Sequence, residues 1–241
     1  MLSESLKDEI QGAYSALLSN KGYGSRRCQK EMIAAIARTL GDVPDDKLEA
    51  DNVCVVEAGT GTGKTIAYAI ATIPIAKKLN KKIVIATATV ALQEQIVYQD
   101  LPDIRQHSGL DFSFALAKGR RRYLCLSKLD LALQESGSVN HTLALFDNEN
   151  HDAAQSDVQL FENMLSSLGR GDWDGDRDAW PQEIEPRAWF RVSTDHAQCT
   201  GRQCSHFDNC YFYRARESIH RVDCIVTNQD LVLADLMMGG G

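Results

Sequence analysis

A glycine-rich segment between two apolar stretches constrains the fold of this chain more than any other feature. It reads Glu57-Ala58-Gly59-Thr60-Gly61-Thr62-Gly63-Lys64-Thr65, with apolar residues 53–56 before it and 66–71 after it. This order predicts a strand, a phosphate-binding loop and a helix, because glycines allow a tight turn that directs several backbone N–H groups at one anion. The candidate nucleotide-binding residues of the loop are Ala58, Gly59, Thr60, Gly61, Thr62, Gly63, Lys64 and Thr65.

Two side chains at the end of the loop are candidates for catalytic roles. Lys64 is predicted to reach the β- and γ-phosphates of a nucleoside triphosphate, and Thr65 to place its hydroxyl on Mg²⁺. Ala58 stands where the strict pattern has glycine. A small residue with an ordinary φ is tolerated there, so the prediction of nucleotide binding stands.

Length, charge and cysteine content limit the class of protein. The 241 residues are 44% hydrophobic, which is typical of one globular domain with room for an insertion. No apolar stretch is long enough to span a membrane and the N-terminus does not resemble a signal peptide, so we expect a cytoplasmic protein. Seven cysteines then indicate thiols or metal ligands. The net charge of −7 argues against coating nucleic acid by bulk attraction, but it allows a local basic stripe.

Apolar spacing predicts alternating strands and helices in the first half of the chain. Helices are expected over residues 6–18, 29–40, 64–79 and 90–97, strands over 53–56, 83–87 and 112–116, and a loop over 41–51. Strand-helix alternation of this kind is typical of a parallel α/β sheet.

The alternation stops at Lys118, and a polar stretch with all three tryptophans follows. A helical pattern over residues 158–168 favours a mostly helical insertion. Residues 222–227 then predict a strand and residues 229–238 a helix, which returns the chain to the sheet. We therefore expect an α/β domain in residues 1–118 and 222–241, interrupted by an insertion over residues 119–221.

Four cysteines of the insertion are candidate metal ligands. Cys199, Cys204 and Cys210 lie close together in sequence, and Cys125 lies at the other end of the insertion, where folding could bring it alongside them. The C-x4-C and C-x5-C steps are wider than the C-x2-C pairs common in zinc sites, so spacing leans toward an iron-sulfur cluster. Zinc stays open, because His206 could complete a Cys₃His site without Cys125.

These motifs occur in an order that resembles a known helicase family. The matching segments are 26–29, 57–65, 87–95, 119–125, 173–178, 193–195, the three clustered cysteines and 227–231. Together they resemble the iron-sulfur helicases of superfamily 2, the XPD-like group. The resemblance implies a parallel-sheet P-loop NTPase (RecA-like) motor domain of the α/β class, interrupted by a mostly helical iron-sulfur insertion.

The same resemblance implies an activity and its cofactors. The implied activity is ATP- and Mg²⁺-dependent unwinding of DNA in the 5′–3′ direction, in repair or replication, by a monomer acting on single-stranded or forked DNA. The implied 4Fe-4S cluster is held by Cys125, Cys199, Cys204 and Cys210. Arg26 and Gln29 are implied to read adenine. The segment from Thr87 to Gln95 is implied to touch the DNA backbone, with Thr87 and Gln93 as the candidate contacts.

Basic and aromatic residues on both sides of the proposed cluster predict a track for single-stranded DNA. Cations would hold phosphates while rings stack on bases. One side carries Lys118, Arg120, Arg121, Arg122 and Tyr123, and the other carries Tyr211, Phe212 and Tyr213.

The sequence departs from the helicase pattern in one respect. It contains no Asp-Glu-x-His sequence, whose carboxylates hold Mg²⁺ and activate water in such motors, and no second motor domain. We therefore expect an N-terminal fragment, truncated before that motif, that does not unwind DNA by itself. The alternative is a nucleotide-dependent switch or a nucleic-acid-binding module with a structural zinc site.

Overall fold

The chain divides into two compact units. The computed structural model describes residues 2–41, 52–139 and 148–237. Met1–Ala117 and Ser218–Gly241 form the first, here called the sheet unit, and Lys118–Glu217 forms the second, here called the cysteine unit. The loop predicted for residues 41–51 lies outside the described residues, except for Gly41, which ends a helix.

The described residues form ten α-helices and three β-strands. The helices are α1 (Glu4–Lys21), α2 (Arg27–Gly41), α3 (Lys64–Lys78), α4 (Val90–Gln95), α5 (Leu101–Ser108), α6 (Leu126–Val139), α7 (Asn148–Arg170), α8 (Pro186–Val192), α9 (Tyr211–Ile219) and α10 (Gln229–Met237). The strands are β1 (Ile83–Thr87), β2 (Phe114–Leu116) and β3 (Cys224–Asn228). A π-helical turn, Ile96–Asp100, joins α4 to α5. Not one of the described helices has both the length and the apolar character that crossing a bilayer requires.

The three strands form a parallel sheet in the order β1-β3-β2. Cys224 of the central strand pairs with Ile83 of β1 on one side and with Phe114 of β2 on the other. Cys224 and Val226 are fully buried, as expected for a central strand with both faces covered. The predicted parallel α/β class is confirmed.

Helices α1, α2 and α5 bury one apolar face each in the core of the sheet unit, whereas α3 is buried on most sides. In α1 the buried positions recur every three or four residues, which places them on one stripe of the helix. Leu17 of α1, Ile70 of α3 and Leu101 of α5 are completely buried in the same cluster. This packing holds the beginnings of α2 and α3 in the same part of the unit.

The strand predicted for residues 53–56 is wrong. These residues carry no strand assignment, and among the described residues β1, β2 and β3 pair only with one another. A strand requires a neighbour to satisfy its backbone groups, and an apolar sequence alone does not supply one. The side chains of Val53 and Val55 are 73% and 89% exposed.

Helices dominate the described part of the cysteine unit. Its own apolar cluster includes the fully buried Leu129, Phe161, Met164 and Val192 from α6, α7 and α8. Four short 3-10 turns and two isolated bridges, Tyr123 with Asp176 and Leu124 with Ser193, connect these helices. The helical character predicted for this stretch therefore agrees with the structure.

Candidate nucleotide site and cysteine site

The predicted phosphate loop turns sharply immediately before α3. The turn includes Thr60 and Gly61, and α3 begins at Lys64. Gly61 and Gly63 have φ values of 76° and 77°, a left-handed conformation that costs other residues roughly 1–2 kcal/mol. The glycines therefore permit the turn that brings the loop to the N-terminus of α3, the positive end of the helix dipole.

Lys64 is folded against the loop that it follows. Its Nζ donates hydrogen bonds to the carbonyl oxygens of Ala58, at 2.7 Å, and Gly59, at 2.9 Å. The hydroxyl of Thr62 donates to the same Gly59 oxygen at 2.9 Å. A phosphate oxygen carries more negative charge than a carbonyl oxygen, so it is a stronger acceptor for this ammonium group. The geometry suits the predicted role of Lys64.

The side chain of Thr65 lies one helical turn before that of Tyr68 and close to it. Burial raises the pKa of the Tyr68 hydroxyl, and the nearby Thr65 side chain acts against this rise. The role of Thr65 in binding Mg²⁺ stays a prediction.

Arg26 and Gln29 both contact the backbone of the phosphate loop. Arg26 Nη1 donates to the carbonyl oxygen of Gly61 at 2.8 Å, and Gln29 Nε2 donates to that of Gly63 at 3.5 Å, the outer limit for such a bond. Gln29 is only 5% exposed. Adenine recognition by these residues stays a prediction, and the structure gives both of them a direct contact with the loop.

The two candidate DNA contacts in the sheet unit are buried. Thr87 ends β1 and donates its hydroxyl to the carbonyl oxygen of Thr89 at 3.1 Å, while Gln93 lies on the inner face of α4. Thr89 caps α4, because its hydroxyl accepts a hydrogen bond from the N–H of Leu92. Contact of Thr87 and Gln93 with DNA stays a prediction.

All four candidate cysteine ligands line one cavity in the cysteine unit. Aromatic side chains form much of the remaining wall. The cysteines are Cys125, Cys199, Cys204 and Cys210, and the aromatic residues are Tyr123, Phe207, Phe212 and Tyr213. The structure therefore brings together cysteines from both ends of the predicted insertion.

Backbone hydrogen bonds fix Cys125 at the start of α6. Its N–H donates to the carbonyl oxygen of Val192 at 2.8 Å, and its carbonyl oxygen accepts from the N–H of Leu129 at 2.9 Å, in the first turn of the helix. The N–H groups of Ser127 and Lys128 lie near its thiol. Burial raises the pKa of the Cys125 thiol, and the two N–H groups act against that rise.

Short 3-10 turns position the other three cysteines. Cys199 precedes the turn Gly201–Gln203, and its sulfur accepts from the N–H of Gly201 at 3.4 Å. Cys204 follows that turn directly, and Cys210 follows the next one, Phe207–Asn209. Such turns are tight enough to direct thiols from neighbouring positions toward one centre.

Arg120 contacts the cysteine site directly. Its Nη1 donates to Cys199 Sγ at 3.0 Å, and its Nη2 lies 3.4 Å from the hydroxyl of Tyr213. The guanidinium carbon lies 4.1 Å from the ring centre of Phe212, within the range of a cation–π interaction. The cation predicted to hold a DNA phosphate thus lies against a thiol and two aromatic rings.

The other basic residues of the predicted DNA track are paired inside the cysteine unit. Lys118 forms ion pairs with Asp176 and Asp178, and Arg122 pairs with Asp178. Arg121 pairs with Asp195 at 2.8 Å, which lowers the pKa of that carboxyl group. Tyr123 is buried and contacts Phe212 edge to face. These contacts organise the segment leading to Cys125, and DNA contact by Arg120, Arg122 and Tyr123 stays a prediction.

His206 takes part in a different interaction. Its Nε2 lies 3.0 Å from a carboxylate oxygen of Asp130, and His206 does not line the cavity of the four cysteines. Within residues 2–41, 52–139 and 148–237, no three His, Cys, Asp or Glu side chains are arranged to hold a single metal ion.

Sequence reasoning missed two sets of residues that shape these sites. Tyr14 lies on the apolar stripe of α1, so the sequence indicates only a core residue. It does not indicate that the Tyr14 hydroxyl is hydrogen-bonded to Gln29. Asp176 and Asp178 belong to a segment that supported the helicase resemblance, but their spacing does not reveal that they pair with Lys118. Long-range pairing of this kind has no local sequence signal.

A parallel α/β sheet with a glycine loop at a helix N-terminus defines the P-loop class of nucleotide-binding folds. Within that class, this chain belongs to the DEAD/DEAH box helicase family, whose model matches residues 26–160.

The chain is similar to curated helicases of three bacteria. It is 38% identical to the ATP-dependent DNA helicase DinG of Photobacterium profundum, over all of this chain and 34% of that protein. Over 97% of the chain it is 36% identical to DinG of Salmonella typhimurium and 35% identical to DinG of Escherichia coli, and it covers 32% of each. The chain thus spans about a third of the length of these curated relatives.

Alanine at three glycines of the loop should change the stability of the chain by graded amounts. At Gly59 an added methyl group has no neighbour within 4 Å. At Gly61 it also has none, but the positive φ of this residue is unfavourable for alanine. At Gly63 the φ is equally unfavourable, and the methyl group would lie 2.0 Å from Gln29 Nε2. We expect almost no change for Gly59→Ala, a loss of about 1–2 kcal/mol for Gly61→Ala, and a larger loss for Gly63→Ala.

Urea unfolding of the three variants and the parent measures these differences. Gly59→Ala is the matched control, because it adds the same methyl group to the same loop. A Gly63→Ala variant as stable as Gly61→Ala, which has the same unfavourable φ and no clash, would show that the loop does not pack against Gln29.

Proposed function

We propose that this chain supplies the nucleotide-binding and cysteine-site parts of an ATP-dependent DNA helicase that unwinds DNA in the 5′–3′ direction. Membership of the DEAD/DEAH box helicase family and similarity to DinG helicases support this proposal. Because the chain spans about a third of those relatives, the proposal concerns the activity of a protein of their length. Such a protein would act as a monomer on single-stranded or forked DNA in the cytoplasm, in repair or replication.

The proposed nucleotide is ATP with Mg²⁺, bound at the turn before α3. Backbone N–H groups of residues 59–65 would bind the phosphates, with Lys64 at the β- and γ-phosphates and Thr65 on the metal ion. The hydrogen bonds from Arg26 to Gly61 and from Gln29 to Gly63 would hold the loop while the same two residues recognise adenine.

The observation that carries the proposal for the cysteine unit is that four cysteines line a single cavity. Four thiolates are the usual ligand set of a 4Fe-4S cluster, so the residues present fit that group. Cys125, Cys199, Cys204 and Cys210 would hold it. When bound, such a cluster supplies a redox-active iron centre that also cross-links the segments carrying its ligands.

Arg120 would support these ligands electrostatically. Four thiolates repel one another, and a guanidinium that donates to Cys199 Sγ reduces this repulsion. Its packing on Phe212 helps to hold the cation in place.

We propose contact with DNA for Thr87, Gln93, Arg120, Arg122 and Tyr123 only as a further role, since each is already buried or paired.

Loss of one cluster ligand should remove the iron from this chain. We expect the parent chain, reconstituted anaerobically with iron and sulfide, to retain about four iron and four sulfide ions and to absorb broadly near ~400 nm. Cys204→Ser should lose most of both. Cys28→Ser is the matched control, because Cys28 is an exposed cysteine that does not line the cavity.

Metal analysis and absorption spectra decide the outcome. A colourless parent chain that binds zinc stoichiometrically would contradict the iron-sulfur proposal and favour a structural zinc module. Equal iron content in the parent and in Cys204→Ser would show that the four cysteines do not act together.

Removal of the loop lysine should abolish unwinding by a protein of the relatives' length. We expect that protein to unwind a duplex with a 5′ single-stranded tail when ATP and Mg²⁺ are present, and Lys64→Ala to reduce the rate at least ~100-fold because the phosphates lose their cation. Lys81→Ala, which removes an exposed lysine outside the loop, should have no effect. Undiminished unwinding by Lys64→Ala, or unwinding only from a 3′ tail, would contradict the proposal.

A further inference from the structure

A series of hydrogen bonds connects α1 to the phosphate loop. The N–H of Arg26 donates to the hydroxyl oxygen of Tyr14 at 3.4 Å, and that hydroxyl donates to Gln29 Oε1 at 2.9 Å. Gln29 Nε2 in turn donates to the carbonyl oxygen of Gly63 at 3.5 Å. The series therefore ends at the residue immediately before Lys64.

The two ends of this series fix the direction of every bond in it. A carbonyl oxygen only accepts, so the NH₂ group of Gln29 faces Gly63 and the amide oxygen faces Tyr14. The Tyr14 hydroxyl must then donate to Gln29, which leaves its lone pairs to accept from the N–H of Arg26. With a backbone donor at one end and a backbone acceptor at the other, no member can reverse its role.

Burial makes these hydrogen bonds energetically important. Tyr14 and Gln29 are each 5% exposed, so water does not replace a missing partner, and an unpaired buried group costs about 1–3 kcal/mol. The amide also has little room to move, because a Cβ on Gly63 would lie 2.0 Å from Gln29 Nε2. The orientation of Gln29 therefore depends on the hydroxyl group behind it.

We propose that Tyr14 is a positioning residue for the nucleotide site, which acts through Gln29 on Gly63. This inference rests on the proposed binding of nucleotide at the loop. Tyr14 holds the amide oxygen of Gln29 and thereby directs the NH₂ group to the loop. The hydroxyl of α1 thus helps to set the position of the turn that presents backbone N–H groups to the phosphates.

Tyr14→Phe tests the inference because it removes the hydroxyl and keeps the ring in the core. We expect the dissociation constant of a fluorescent ATP analogue with Mg²⁺ to rise about 5-fold, as for the loss of one hydrogen bond of about 1 kcal/mol. Tyr98→Phe is the control, because Tyr98 is 68% exposed and its hydroxyl takes no part in this series of hydrogen bonds. It should leave the affinity unchanged.

A double-mutant cycle with Gln29→Met separates a positioning role from a merely structural one. Methionine has a similar length and no amide, so Gln29→Met should weaken binding, and adding Tyr14→Phe should then change the affinity less than 2-fold. Removing both polar side-chain partners should also recover stability lost in Tyr14→Phe, since the buried amide oxygen that loses its donor in Tyr14→Phe is then absent. The cycle therefore gives an answer even if Tyr14→Phe alone is poorly folded.

Each outcome has a distinct meaning. Unchanged affinity in Tyr14→Phe, or an equal further loss in the Gln29→Met background, would overturn the inference, because Tyr14 would then not act through Gln29. A parent chain that binds the analogue no better than Lys64→Ala does would instead refute the proposed function.

Discussion

The close approach of Gln29 to Gly63 is the contact on which the candidate nucleotide site depends. It joins α2 to the turn before α3, and it requires a residue without a side chain at the point where φ is also left-handed. Both requirements select glycine at the same position. The core of the sheet unit brings the two helices together, and this contact converts their packing into a defined position for the loop.

A different interaction organises the cysteine unit, the pairing of partly buried charged side chains. Lys118 and Arg122 meet Asp176 and Asp178, while Arg120 meets a thiol and two aromatic rings. A partly buried cation loses hydration that a partner must offset, so these pairs restrict how the segment before Cys125 can fold. The basic residues predicted to form a nucleic-acid track thus also position the segment that leads to Cys125, a proposed metal ligand.

The local pattern of apolar residues predicted many of the helices and strands. Contacts between residues far apart in sequence determine the rest of the fold. Helices α1 and α2 could be predicted because their apolar residues recur at helical spacing. Strands β1 and β3 could be predicted because each is a short apolar run. Residues 53–56 have an equally apolar sequence but lie outside the sheet, since a strand also needs a neighbour. The four cysteines could be named from sequence, whereas their common cavity and the contact from Arg120 could not. The role of the Tyr14 hydroxyl could not be predicted for the same reason, because its partner Gln29 lies on another helix.

Hydrogen–deuterium exchange of the chain with and without ATP and Mg²⁺ tests the central claim most directly. If the turn before α3 is the nucleotide site and Gln29 holds it, nucleotide should slow exchange of the backbone N–H groups in residues 59–65 and at the start of α2. The N–H groups around Cys204 and Cys210 should exchange at the same rate in both conditions. Unchanged exchange over residues 59–65 at a saturating concentration of nucleotide would contradict the account.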